Sequence, residues 1–253
     1  MSDFDRNYAT ARSGAGADRA AIDAGLRAHM IRIYNYMAMG VALTGVVAWL
    51  TFNAAVVTNP AGAITGLTAF GQAIFGGPAL IVLVLATFGL VMFISFRIHT
   101  LQPGTALALF MTYAALLGLM LSSVFLAYTG ASITRVFFIS AASFGALSLY
   151  GYTTQRNLSA FGSFLVMGMI GLFIAMLVNI FLKSTGLDFV ISAAGVLIFA
   201  GMTAWDTQRI KEMYDPMQDG TVAGRQAVMG ALQLYLDFIN LFLFMLRFLG
   251  DRR

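Results

Sequence analysis

The chain contains no cysteine, only two histidines (His29 and His99), four prolines, and 10% charged residues in 253. Disulfides, thiolate metal sites and cysteine nucleophiles are therefore excluded. Two histidines so far apart make no zinc motif. Four prolines leave long helices largely unbroken. Charge is too sparse to solvate the surface of a soluble domain, because 59% of the residues are hydrophobic; the bilayer is the solvent. The net charge of +4 would suit nucleic acid only if the basic residues were clustered, and they are scattered along the chain. Twenty-six glycines, with many alanines, serines and threonines, suit the close helix packing that holds bundles together in lipid.

A membrane span needs about 20 apolar residues, and seven stretches qualify: Ile33–Phe52, Ala79–Phe96, Thr105–Tyr128, Ile133–Tyr152, Phe161–Leu182, Phe189–Trp205 and Val228–Leu249. The fold class is thus an all-α membrane protein, a seven-transmembrane helix bundle over residues 29–253. Residues 1–28 form a polar cytoplasmic tail, helical from about Ala20, whose acids (Asp3, Asp5, Asp18, Asp23) argue against a cleaved signal peptide. Only Asn53–Pro78 and Asp206–Ala227 are long connections. Orientation follows from the Lys and Arg flanks. With the N-terminus inside, Arg6, Arg12, Arg19, Arg27, Arg32, Arg97, Arg156, Arg209, Lys211 and Arg225 are cytoplasmic. Arg135, Lys183, Arg247, Arg252 and Arg253 fall on the other side, unless the last helix enters and returns, an alternative the sequence leaves open.

Residues 24–187 contain neither Asp nor Glu, so the acids beyond them are informative. Asp188, near Lys183 at a helix entrance, reads as a cap. Glu212, Asp215 and Asp219 read as solvated loop charges. Asp206 closes the sixth apolar stretch, and Asp237 lies well inside the seventh, some 13 Å below a helix mouth at Val228 for a rise of about 1.5 Å per residue. Gln233, Asp237 and Asn240 recur at i, i+4 and i+7, a polar stripe that must face protein or water. A carboxylate at such depth costs a few kcal/mol even on insertion scales, which makes it a functional candidate by default; the bland alternative is a structural hydrogen bond between helices.

Because the last two helices share one connecting loop, Asp206 and Asp237 are expected to meet. Two neighbouring carboxyls in low dielectric cannot both ionise cheaply and titrate as one unit. A shared proton would draw the helices together. Its loss would bring repulsion, relieved by water or a cation, so the pair is a candidate pH sensor and gate. Carboxylate and amide oxygens suit Ca²⁺ over Mg²⁺, yet two aspartates make only a weak, transient metal site, as conduction requires. Gln233 and Asn240 are candidate pore-lining groups. Arg97 is a candidate latch for an ionised aspartate, with headgroup anchoring as the equal alternative; Arg209, one turn from Asp206, is the rival latch. His99 and the Tyr34, Tyr36, Tyr150 and Tyr152 groups read as interfacial. No cofactor and no nucleic-acid partner is expected.

At these residues the chain resembles the Bax inhibitor-1 (transmembrane Bax inhibitor motif) family, and more closely its bacterial members. The resemblance rests on "LYLDFINLFLFMLRFLG" (Leu234–Gly250), "WDTQRIK" (Trp205–Lys211) and "SLYGYTTQRNLSAFGSFLVMG" (Ser148–Gly168), with the seven-span pattern. It implies a central C-terminal helix, a closed aspartate pair mapping onto Asp206 and Asp237, a latch arginine mapping less securely onto Arg97, and a pH-sensitive calcium leak in a bacterial inner membrane. Two departures stand out. The second span carries no acid, where some bacterial relatives have one, which argues against an outer cation site there. The turn Gln155-Arg156-Asn157-Leu158-Ser159 also lacks an acid common at that place. The resemblance offers a second reading, a regulatory protein that binds another membrane machine, such as a membrane-bound AAA-type protease. An enzyme is not expected: intramembrane proteolysis could use two aspartates, but no GxGD-type motif surrounds Asp237.

Overall fold

In a computed structural model, residues 3–60 and 63–253 are described in backbone, with side chains described from Ile22 onward. The expected tail, residues 1–28, thus falls mostly outside the described side chains. The elements are α1 (Asp3–Ala55), β1 (Val56–Thr58), β2 (Ile64–Leu67), α2 (Ala69–Phe75), α3 (Pro78–Arg97), α4 (Pro103–Leu121), α5 (Val124–Ala127), α6 (Gly130–Thr153), α7 (Ser159–Leu182), α8 (Thr185–Glu212) and α9 (Gly220–Leu249). Seven helical segments are long and apolar enough to cross a membrane, and the chain is an all-α membrane protein.

The spans match the seven apolar stretches, with instructive differences at their ends. Pro78 and Pro103 occupy the first helical positions of α3 and α4, where the missing N–H is no loss. The third span is not one helix. Ser122 and Ser123 turn their hydroxyls back onto the carbonyls of Leu119 (2.5 Å) and Met120 (2.9 Å), and the helix breaks there into α4 and α5. The long connection after α1 is structured: β1 and β2 pair antiparallel, and α2 packs Gly71 so tightly on the Ala55 backbone that a side chain would collide.

The last helix is the axis of the bundle. Tyr235, Leu232, Leu234 and Leu241 are wholly buried, and α1, α4, α6 and α8 all pack on α9. By contrast α3 rests on α4 and α2, and α7 on α8, so these two present exposed apolar faces (Ile81, Val82, Leu85 and Phe88; Phe164, Met167, Ile170 and Phe173) to lipid. Tyr235 fastens the axis to α1 and α4. Its hydroxyl lies 2.6 Å from Thr44 Oγ1, which donates to the carbonyls of Gly40 and Ala114 (2.9 Å each). Since Thr44 has one proton, Tyr235 is the donor. Helix α9 runs unbroken to Leu249 and does not return, which resolves the alternative left open by the sequence. Its tail is pinned at the far end of the bundle: Asp251 N donates to Ser132 Oγ (2.9 Å), Arg253 N to Ala127 O (3.0 Å), and Asp251 pairs with Arg135 (2.9 Å).

Candidate functional site

Asp206 and Asp237 come together on the facing sides of α8 and α9. They are 2% and 4% exposed and line the same cavity. Two carboxyls together in low dielectric cannot both ionise cheaply. Gln233 Nε2 donates weakly to Asp206 Oδ1 at 3.5 Å. Asp237 Oδ2 has no hydrogen-bond partner, the only such buried side-chain atom among the described residues.

The depth of the pair differs from the sequence expectation. Helix α8 continues six residues past Asp206, and α9 begins at Gly220, eight residues before Val228, leaving a short connection of residues 213–219. The polar runs Thr207–Glu212 and Gly220–Ala227 read as loop only because they are polar; as helix, they turn apolar residues such as Ile210, Ala227 and Val228 inward and begin at the capping carboxylate of Asp219. Asp206 therefore sits about 9 Å inside α8 and Asp237 about 25 Å along α9, taking 1.5 Å per residue.

The predicted polar stripe is brought into one place. Asp206, Gln233, Asp237 and Asn240 line a cavity of about 680 Å³ between α7, α8 and α9, walled by methionine, leucine and phenylalanine side chains, with Arg247 also in its lining. Asn240 Nδ2 donates to Leu236 O (2.8 Å), which leaves its carbonyl oxygen free of that bond and available to the cavity. Toward the opposite, more basic end, α8 continues past Asp206 through buried Thr207, Gln208 and Ile210.

Neither candidate latch arginine is paired with an aspartate among the described residues. Arg97 is exposed at the end of α3, a helix packed on α4 and α2, and makes no ion pair among the described residues. Arg209 is exposed and stacks its guanidinium 5.5 Å above the Trp205 ring, so it too pairs with neither aspartate. Asp188 is not the cap of α8: Ser184 caps it, accepting from Leu187 N, and the Asp188 carboxylate takes Arg247 (3.4 Å) and Arg252 (3.6 Å). Glu212, Asp215 and Asp219 are exposed as expected.

Two groups escaped the sequence reading. Gln208 is buried and holds the turn before α7, donating to Arg156 O and accepting from Leu158 N at 2.8 Å each, thereby joining two of the segments that carry the family resemblance. Tyr34, read as interfacial, instead lies 2.5 Å from Ser148, which lies 2.9 Å from Thr207. Thr207 donates to Thr203 O (2.7 Å), so proton counting makes Ser148 and Tyr34 the donors up the chain. The tyrosine spacing gave no hint of this partner 114 residues away.

Comparison with known sequences adds the family. The pattern described as "Inhibitor of apoptosis-promoting Bax1" matches residues 26–253. The chain belongs to the Bax inhibitor-1 family. Among its relatives, the inner membrane protein YbhL of Escherichia coli is 44% identical over 232 residues, covering 91% of this chain and 94% of YbhL. An uncharacterized protein of Rickettsia prowazekii is 48% identical over 231 residues, 91% of this chain and 92% of the other, and one from Caulobacter vibrioides is 42% identical over the full length of both. The match extends over every span of the chain.

Proposed function

We propose that this protein is a pH-sensitive cation leak, with Ca²⁺ its first candidate cargo, gated by the protonation of Asp206 and Asp237. One observation carries the reading: two almost wholly buried carboxyls on neighbouring helices line one cavity together with Gln233 and Asn240. A single shared proton lets both stay in low dielectric, and helices α8 and α9 stay closed. As pH rises and that proton leaves, two negative charges repel across the gap, and a hydrated cation relieves the repulsion. Oxygens of Asp206, Asp237, Gln233 and Asn240 supply a weak, hard donor set. Among the described residues no three His, Asp or Glu side chains cluster, which suits an ion that must leave again. By the excess of Lys and Arg, the closed end faces the cytoplasm of the inner membrane.

The test is calcium flux into proteoliposomes across a pH series. Flux should rise with pH in the wild type. Asp206→Asn should hold the gap with an uncharged amide donor and flatten the pH response, and Asp237→Asn likewise; unaltered flux and pH response in both would remove the pair from the mechanism. Deleting Met1–Ala28 should leave the leak intact. Loss of function only on that deletion would favour the regulatory, partner-binding reading.

A further inference from the structure

Helices α1 and α6 both flank α9 and touch where Tyr34 meets Ser148. The gap between them is a groove of about 570 Å³, within the range of small-ligand sites of about 300–1,000 Å³. Both walls belong to span-length apolar segments, so the groove opens onto the acyl region of the bilayer. Met30, Ile31, Phe144 and Leu149 form its sides. At Gly145 an added Cβ would meet nothing within 4 Å; the space is empty of protein.

The floor and the mouth differ from the sides. On the floor, the Tyr34 hydroxyl spends its proton on Ser148, so it offers only lone pairs and cannot bind an anion. At the mouth, Arg27 is exposed and lines the groove with no ion pair among the described residues; Asp23, one turn earlier, is the nearest acid along the helix. Tyr152 closes the same end, and the Lys211 ammonium rests 5.3 Å over its ring while donating to its carbonyl at 2.8 Å. No carboxylate pairs with Lys211 among the described residues. Arg27 thus lines the groove, and Lys211 borders it through Tyr152, where the apolar groove meets the headgroup level.

We propose that this groove is a binding site for one anionic phospholipid of the leaflet at the basic end, its phosphate held by Arg27 and Lys211 and one acyl chain laid between α1 and α6. Each cation near an anionic headgroup favours it modestly, and two together correspond to a preference of the order of tenfold over a zwitterionic lipid. This site is separate from the aspartate cavity and does not depend on the leak reading.

Native mass spectrometry of the full-length chain with equimolar dioleoylphosphatidylglycerol and dioleoylphosphatidylcholine tests it. One phosphatidylglycerol should remain bound in preference to phosphatidylcholine. Arg27→Gln combined with Lys211→Gln should abolish the preference. Gly145→Leu fills open space and should reduce retention of both lipids without lowering the thermal midpoint. Equal retention of the two lipids by the wild type, or phosphatidylglycerol retention unchanged in both variants, would overturn the proposal.

Discussion

Asp237 Oδ2 lacks a partner while 4% of its residue is exposed, and a buried polar atom left in that state costs about 1–3 kcal/mol. Replacing both members of such a pair by apolar groups is often neutral or stabilising. Asp206→Leu with Asp237→Leu should therefore keep or raise the thermal midpoint in detergent while abolishing pH-dependent flux, separating the cost of the pair from its use. Tyr235→Phe makes the opposite case: it removes the 2.6 Å bond to Thr44, and should lower stability by about 1 kcal/mol while leaving the pH response of flux in place. The i, i+4, i+7 spacing of Gln233, Asp237 and Asn240 made the stripe readable from the sequence, since between Val228 and Leu246 these are the only amide or carboxyl side chains. The partners of Tyr34 and Tyr235 were not readable, because a hydroxyl bond across more than a hundred residues leaves no local pattern.

Helix ends were the least legible elements. Thr207–Glu212 and Gly220–Ala227 looked like loop by hydropathy, yet they extend α8 and α9 because their apolar residues share one inward face and Asp219 supplies the cap. Pairing between helices depends on glycines that hydropathy cannot rank. At Gly151 a Cβ would collide with the Ala204 backbone, whereas at Gly145, on the same helix, it would meet nothing. Gly151→Ala should thus force α6 off α8 and cost about 1–3 kcal/mol, the usual penalty for overpacking, while Gly145→Ala should be neutral within measurement or slightly stabilising through helix propensity. Thermal unfolding of both variants in one detergent gives the comparison. At the far end, Asp188 bridges to Arg247 and Arg252, with its own side chain 29% exposed, so Asp188→Asn should cost less than about 1 kcal/mol and chiefly alter the cavity lining at Arg247.

Across the bundle as a whole, the number of spans was plain from seven apolar runs, because each must satisfy its own backbone within the bilayer. Which helix lies at the centre was not plain from composition and came from the resemblance to a family. Orientation can be checked directly, since the chain contains no cysteine. In intact cells a membrane-impermeant maleimide should label Lys183→Cys at once and Asn157→Cys only after permeabilisation; the reverse pattern would place the N-terminus outside. The central position of α9 has a further consequence for biogenesis. Translation delivers this segment after the eight helices that precede it, so nascent spans enter the bilayer before the piece they are to surround exists. Until then Thr44, Ser148 and Asp206 must be hydrated, sheltered by the insertion machinery or mutually paired, and the bundle can close only around the late arrival.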